Sequence, residues 1–151
     1  MSQTRPTPGF SSRIAYKDQG SAVEWLERAF GFVTTTLAKG ADGKVVYAEM
    51  AFGNGLIQIG SEWENIKAPG SLSGANTQTI TAHWRRGLTN TANALVRLAA
   101  KYSRSLRSIP RGSHLSGYGP EGHVWSISQK LRAVKVEEME AAIPGMKVWK
   151  R

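Results

Sequence analysis

The stretch DGKVVYAEMAFGNGLIQIG, residues 42–60, decides the fold of the first half of the chain. An Asp-Gly pair opens it, and a Gly-Asn-Gly turn separates two runs rich in β-branched and aromatic residues. Asp-Gly is a strong hairpin signal, so the pattern predicts strands over residues 45–53 and 55–62. The Gly-x-Gly at 53–55 is a hairpin turn rather than a phosphate-binding loop, because no helix follows it.

The residues before this hairpin complete a β-α-β-β-β unit. Ile14 and Tyr16 alternate with polar or small residues in a strand over 11–18, and residues 33–39 form a β-branched strand that leads into the hairpin. A helix is predicted between these two strands, so the first unit contains four strands and one helix.

The predicted helix is GSAVEWLERAFGF, residues 20–32, in which the apolar side chains lie on one face. We expect Ser21 to cap its N-terminus, and Glu24, three residues later, completes a capping box. Gly31 is expected to end the helix, because glycine readily adopts the left-handed conformation of a C-terminal cap.

The order of elements then begins again after a loop rich in Pro, Gly and Ser. The predicted second unit consists of strands over 79–84, 104–109 and 123–129, a helix over 88–103 and a loop over 110–122. We interpret this as a degenerate internal repeat whose two units bury a shared face. The expected organisation is a disordered tail (1–10), a single domain (11–130) made of module one (11–64), a linker (65–76) and module two (77–130), and a C-terminal helix and tail (131–151).

The charge of the chain is concentrated in one segment. The net charge is +9, and no acidic residue lies between Glu64 and Glu121. The stretch from Trp84 to Leu115 carries seven unbalanced basic residues: Arg85, Arg86, Arg97, Lys101, Arg104, Arg107 and Arg111. A basic patch of this kind can bind nucleic acid, but aromatic residues in it are limited to Trp84 and Tyr102, so we consider nucleic acid an unlikely partner.

The composition excludes several classes of protein. The chain has no cysteine, which excludes disulfides and thiolate chemistry and favours a cytoplasmic location. No run of about 18 apolar residues is present, so we expect no membrane span, and the polar N-terminus has no apolar signal core.

Three stretches resemble one known superfamily: AVEWLERAFGF (22–32), residues 42–60 and GPEGHVWSISQ (119–129). They are similar to the glyoxalase / bleomycin-resistance / extradiol-dioxygenase proteins, called the vicinal oxygen chelate superfamily, and especially to its small glyoxalase-like members. The resemblance implies an α+β fold in which two paired βαβββ modules form curled mixed sheets around a cleft. It also implies a homodimer. Enzymes of the superfamily hold a divalent metal in the cleft with His, Gln and Glu side chains.

The resemblance places the four metal-ligand positions at Ser11, Gln58, Thr79 and Ser126. Hydroxyl groups are poor ligands for a catalytic divalent ion compared with carboxylates and imidazoles, so we expect no metal and no other cofactor. A divalent metal would bind only if this alignment is wrong, and His83 is then a further candidate ligand. The residues expected to line the cleft are Ser11, Arg13, Gln58, Thr79, Thr81, His83 and Ser126.

No catalytic residue can be assigned from the sequence. Ser126 and Ser128 share a strand face but have no evident neighbouring base, which argues against a nucleophilic serine. His123 follows a turn glycine and is interpreted as a hydrogen-bonding residue at the rim, while Trp125 is expected to pack in the core.

Three functions remain open at this level. The first hypothesis is a metal-free protein that binds a small, largely apolar or planar molecule. The second is a metal-dependent lyase or dioxygenase of the same superfamily, and the third is a basic nucleic-acid-binding module.

Residues 84–115 depart from the superfamily pattern, which has an acidic turn and an Arg-rich helix in this region. With GC-rich codons, a one-base slip of the reading frame converts residues 88–110 into ADEHRERARAAGGEILSEPTVDP, which is close to that pattern. We therefore hypothesise a pair of compensating frame shifts in the second module, and sequencing the DNA tests this hypothesis.

Overall fold

The computed structural model describes residues 8–84, 103–109, 112–130, 133 and 135–149. In chain order its helices and strands are β1 (Ser12–Tyr16), α1 (Gln19–Phe30), β2 (Val33–Lys39), β3 (Val45–Phe52), β4 (Gly55–Ser61), β5 (Thr79–Trp84), β6 (Ser103–Ile109), β7 (Gly112–Tyr118), β8 (Val124–Lys130) and α2 (Val136–Ala142). Short 3-10 helices lie at Pro69–Leu72 and Pro120–Gly122. The predicted α+β fold class is confirmed.

The two sheets have equivalent strand orders. The first sheet is β1-β4-β3-β2, and the second is β5-β8-β7-β6. In each sheet one parallel pair, β1 with β4 or β5 with β8, is followed by two antiparallel pairs. The repeat inferred from the sequence is therefore present in the strand topology.

One strand of the second sheet was not expected. The interpretation of residues 110–122 as a loop is wrong, because β7 lies within them and pairs with both β6 and β8. The sequence of β7, GSHLSGY, is rich in Gly and Ser, which are typical of turns. Pairing on both edges supplies the hydrogen bonds that outweigh this weak strand propensity.

Helix α1 has a different N-terminal cap from the one predicted. The carboxylate of Asp18 accepts a hydrogen bond from the backbone N–H of Ser21 at 2.9 Å and another from its hydroxyl at 2.8 Å. These bonds lower the pKa of Asp18. Ser21 therefore lies inside the first turn, and Asp18 is the cap. Gly31 ends the helix in the left-handed conformation, with φ of 70°, as predicted.

The hydrophobic core lies between α1 and the first sheet. Apolar side chains of α1, β1, β3 and β4 supply most of it, including Leu26, Ile14, Met50 and Ile59, each 0% exposed. Module two contributes the indole of Trp125, which is 2% exposed and was expected in the core. Trp125 thus anchors the second sheet to the core of the first.

The expected C-terminal helix is present as α2, which ends at Ala142 and buries Met139. The predicted helix over 88–103 lies outside the described residues, except for Ser103, which begins β6. Most of the basic segment also lies outside the described residues. Within the described residues, no helix combines the length and the apolar character needed to cross a membrane.

Candidate binding cleft

The two modules are joined where β1 ends and β8 begins. The carboxylate of Glu121 accepts hydrogen bonds from the backbone N–H of Lys17, at 2.8 and 3.0 Å, and of Asp18, at 2.9 Å. The Nε2 atom of His123 lies 2.8 Å from the carbonyl oxygen of Ala15. Burial lowers the pKa of His123, so the neutral ring donates its Nε2–H to this carbonyl.

These contacts correct the interpretation of His123 as a rim residue. Its side chain is 4% exposed and its ring centroid lies 4.6 Å from that of Tyr16. His123 is therefore a buried link between the modules. The linker residue Asn76 adds to the same junction, since its amide donates to the carbonyl of Gly122 at 2.9 Å and accepts from the N–H of Val124 at 3.2 Å.

One face of the second sheet carries hydroxyl groups and an imidazole. The register of β5, β7 and β8 aligns Thr81 with Ser126, Ser126 with Ser116, and His83 with Ser128. We call this the hydroxyl face, formed by Thr79, Thr81, His83, Ser116, Ser126 and Ser128. The Ser116 and Ser126 hydroxyls lie 2.9 Å apart, and the Ser128 hydroxyl lies 2.7 Å from Nδ1 of His83.

The contact between Ser128 and His83 was missed at the level of sequence. The two residues are 45 positions apart, and only the parallel register of β5 with β8 brings them together. A nucleophilic triad also contains a serine hydrogen-bonded to a histidine, together with a third group that orients the imidazole. In the described residues no carboxylate is hydrogen-bonded to His83, so the pair lacks the group that would orient the imidazole.

The face of the first sheet that lies opposite α1 carries charged and polar groups. The register aligns Arg13 with Gln58, Gln58 with Glu49, and Glu49 with Thr36 across all four strands. We call this the polar face, formed by Arg13, Thr36, Tyr47, Glu49 and Gln58. The Glu49 carboxylate accepts hydrogen bonds from the Tyr47 and Thr36 hydroxyls, each at 3.0 Å.

A cavity of about 720 Å³ lies between the first sheet and β5. It is surrounded by the start of β1, the end of α1, the hairpin between β3 and β4, and residues 80–83. Its lining side chains are mainly aromatic or aliphatic: Phe10, Phe30, Phe32, Val33, Phe52, Leu56, Ile57 and Ile80. Polar side chains come from Ser12, Asn54, Thr81 and His83, and the described lining contains no carboxylate.

The predicted cleft residues lie in three places. Thr81 and His83 line the cavity, whereas Arg13 and Gln58 belong to the polar face of the first sheet. Thr79 and Ser126 lie on the hydroxyl face, and Ser126 is 3% exposed. Ser11 directly precedes β1, next to the lining residue Ser12. The cavity lining thus includes Thr81 and His83 from the predicted cleft residues, together with phenylalanines that were not among them.

The residues at the four implied metal-ligand positions do not fit a catalytic divalent ion. Ser11, Thr79 and Ser126 offer hydroxyls and Gln58 an amide, and the Ser126 hydroxyl is already hydrogen-bonded to Ser116. Divalent catalytic sites rely on imidazole and carboxylate ligands. Across the part of the chain that the structure describes, no three His, Cys, Asp or Glu side chains cluster in a way that could hold a metal.

The chain is similar in sequence to a mycobacterial protein and in structure to several solved proteins. It is 27% identical to the uncharacterised protein Mb0911c of Mycobacterium bovis, over 90% of this chain and 92% of that protein. No protein-family model matches the chain.

Among solved structures, TioX from Micromonospora sp. ML1 superposes with a TM-score of 0.59 and 23% identity, over 85% of this chain and 100% of TioX. A glyoxalase/bleomycin resistance protein from Streptomyces sp. CB03234 has a TM-score of 0.54 and 15% identity, over 79% and 97% of the two chains. The chain has the vicinal oxygen chelate fold. The resemblance inferred from the three sequence stretches is therefore confirmed at the level of fold.

Another protein with this vicinal oxygen chelate fold is the fosfomycin resistance protein FosX from Listeria monocytogenes, solved with Mn(II) and sulfate. It has a TM-score of 0.57 and 11% identity, over 91% of this chain and 98% of FosX. Because a protein of the same fold was solved with Mn(II), the donor groups of the present chain are what distinguish the metal-dependent from the metal-free hypothesis.

Proposed function

We propose that this protein binds a small, largely apolar or planar molecule in the cavity between the first sheet and β5, without metal chemistry. The observation that carries the proposal is the lining of the cavity, where phenylalanine and aliphatic side chains predominate and no carboxylate is present among the described residues. Its volume of about 720 Å³ lies in the range typical of small-molecule sites. Burying a planar apolar ligand against these rings supplies the binding free energy.

The polar side chains of the lining would orient a bound ligand. Thr81 and His83 come from β5, whereas Phe30, Phe32 and Phe52 come from module one. A ligand with one polar edge would place that edge toward β5 and its apolar body toward Phe30 and Phe52. The proposed ligand is thus a flat, mainly apolar molecule with one polar edge.

Binding of an uncharged fluorescent probe, N-phenyl-1-naphthylamine, tests this proposal. Phe10 lines the cavity and is 85% exposed, so Phe10→Ala removes a lining ring with little effect on the core. We expect this variant to weaken probe binding by about three- to tenfold, because roughly one aromatic contact is lost.

The matched control is Trp149→Ala, which removes an aromatic side chain of equal exposure, 84%, that does not line the cavity. This control should bind the probe like the wild type. The proposal is wrong if the wild type does not bind the probe, or if the two variants lose the same affinity.

A metal-dependent lyase or dioxygenase is the second candidate, and the FosX structure with Mn(II) is the observation that favours it. Metal analysis of protein purified without chelator separates the two functions. The metal-free proposal is overturned if the wild type contains stoichiometric Zn, Ni, Mn or Fe and the Ser126→Ala variant does not.

We also propose that the protein forms a homodimer, as the resemblance implies. Edge strand β2 supports this, since Val33 and Leu37 are 57% and 43% exposed and leave apolar surface uncovered within the described chain. Analytical ultracentrifugation tests it: a monomer at every accessible concentration would contradict the proposal.

A further inference from the structure

The side chain of Arg13 lies flat against the backbone of Gly60 on the polar face. A Cβ atom at Gly60 would lie 2.7 Å from both Nε and Nη2 of Arg13, which is closer than real Cβ contacts allow. The φ of Gly60 is outside the left-handed region, so its backbone conformation does not require glycine. The absence of a side chain at Gly60 therefore makes room for the guanidinium.

The neighbours of this guanidinium are polar and fixed in position. Tyr47 lies opposite Gly60 on β3, and its hydroxyl donates to Glu49 at 3.0 Å. Burial and the contact with Glu49 raise the pKa of Tyr47, while the positive charge of Arg13 lowers it. Tyr47 and Thr36 both donate to Glu49, so two hydroxyls already bind this carboxylate.

The guanidinium itself is available for a ligand. Among the residues that the structure describes, neither Arg13 nor the adjacent Gln58 amide has a hydrogen-bond or ion-pair partner. Arg13 is exposed, whereas Gln58 is half-buried beside it. A planar guanidinium forms paired hydrogen bonds with a carboxylate, and an adjacent amide N–H can donate a further one.

We propose that Arg13, held over Gly60, binds the carboxylate of an organic acid on the polar face, with the Gln58 amide as a second donor. None of the residues of the polar face lines the cavity, so this site is separate from the proposed apolar site and can fail independently of it. A carboxylate matches the site better than a cation, since Arg13 is positively charged and the Gln58 amide offers an N–H donor.

Titration with benzoate, followed by the backbone amide NMR spectrum, tests the proposal, with benzamide as the uncharged analogue of the same shape. We expect benzoate to shift the amide signals of Gln58 and Gly60 and to bind at least about tenfold more tightly than benzamide. Arg13→Gln should weaken benzoate binding at least about tenfold and leave benzamide binding unchanged.

Gly60→Ala provides a test that keeps the charge of Arg13. The added methyl group displaces the guanidinium from the sheet, so this variant should also weaken benzoate binding about tenfold. In the double variant Arg13→Gln/Gly60→Ala, the Gly60 change should have no further effect. Unfolding curves of each variant check that the fold is retained.

Arg28→Gln is the control for net charge, because Arg28 is exposed on α1 and its side chain donates only to the Glu24 carbonyl within the described residues. It should bind benzoate like the wild type. Equal binding of benzoate and benzamide, or undiminished benzoate binding by Arg13→Gln, would overturn the proposal. Tighter binding of phenylphosphonate than of benzoate would overturn the assignment to a carboxylate.

Discussion

The two sheets share one strand order but present different chemistry on corresponding faces. On the polar face of the first sheet, a guanidinium, an amide, a carboxylate and the Thr36 hydroxyl are aligned across four strands, with the phenol of Tyr47 on the same face. The hydroxyl face of the second sheet carries serine and threonine hydroxyls and one exposed imidazole. The two modules therefore share the same strand pairing, whereas the side chains on the polar face and on the hydroxyl face differ.

The described part of the core lies mainly in module one. Among the residues whose burial the structure describes, the buried cluster consists of module-one side chains, with Trp125 of β8 as the exception. Its ring lies 5.2 Å from that of Phe30 and 5.9 Å from that of Phe32, measured between centroids. Trp125 thus packs the second sheet against the core of the first, and we expect residues at this junction to affect the stability of both sheets.

The largest expected effect comes from removing this anchor. Trp125→Ala leaves a cavity among the rings of Trp25, Phe30 and Phe32, and we expect the free energy of unfolding to fall by about 3–5 kcal/mol. Urea denaturation measures the loss, and Trp125→Phe should give a smaller one. Trp149→Ala, at an 84% exposed position, should change the free energy by less than about 0.5 kcal/mol. Equal losses in the two alanine variants would contradict the proposed role of Trp125.

A smaller effect is expected at the hydrogen bonds that join the modules. Glu121 adopts a left-handed conformation, φ 58°, and its carboxylate accepts three backbone hydrogen-bond contacts from Lys17 and Asp18. Glu121→Ala leaves these N–H groups without their acceptor and keeps the strained conformation, so unfolding should require about 1–3 kcal/mol less.

Glu64→Ala is the matched control for this variant. Glu64 also has a positive φ, 41°, but its exposed carboxylate has no hydrogen-bond partner among the described residues. The control should change the unfolding free energy by less than about 0.5 kcal/mol. If both variants are equally destabilised, the backbone conformation and not the junction explains the effect.

The sequence allowed most of module one to be predicted, because its signals are local. Alternation and the two glycine turns located β3 and β4, and the apolar face of a helix located α1. Asp18 was overlooked as the cap since Ser21 and Glu24 form an equally good local pattern. Strand β7 was missed because its Gly and Ser residues depend on pairing with β6 and β8 to form a strand.

The candidate sites were harder to predict because they depend on register between distant strands. Arg13 and Gln58 lie on the polar face and Thr81 and His83 line the cavity, and the local sequence does not distinguish these two places. The local sequence around Arg13 or Gly60 does not predict that the two residues are in contact. Such a contact follows only from the parallel pairing of β1 with β4.

The smallest effect concerns the pH dependence of the junction. The pKa of His123 in the folded protein is lowered below its ordinary value of 6.5, because the effect of burial outweighs the opposing effects of the Ala15 carbonyl and the Glu121 charge. Below about pH 6.5 the unfolded chain therefore binds more protons than the folded one, so stability must fall as the pH falls, until the folded-state pKa is reached. Between pH 7.5 and pH 5.5 we expect a loss of up to about 1 kcal/mol from this group.

His123→Gln tests this origin, because glutamine keeps a donor for the Ala15 carbonyl but does not titrate. Its urea denaturation free energy should be lower than that of the wild type at pH 7.5 but should change less between pH 7.5 and 5.5. The interval lies above the ordinary pKa of carboxyl groups, so Asp18, whose pKa is lowered, does not contribute to the difference. His83→Gln, at an exposed position, should retain the full pH dependence. If His83→Gln flattens it and His123→Gln does not, the hydroxyl face rather than the junction carries the sensitivity to pH.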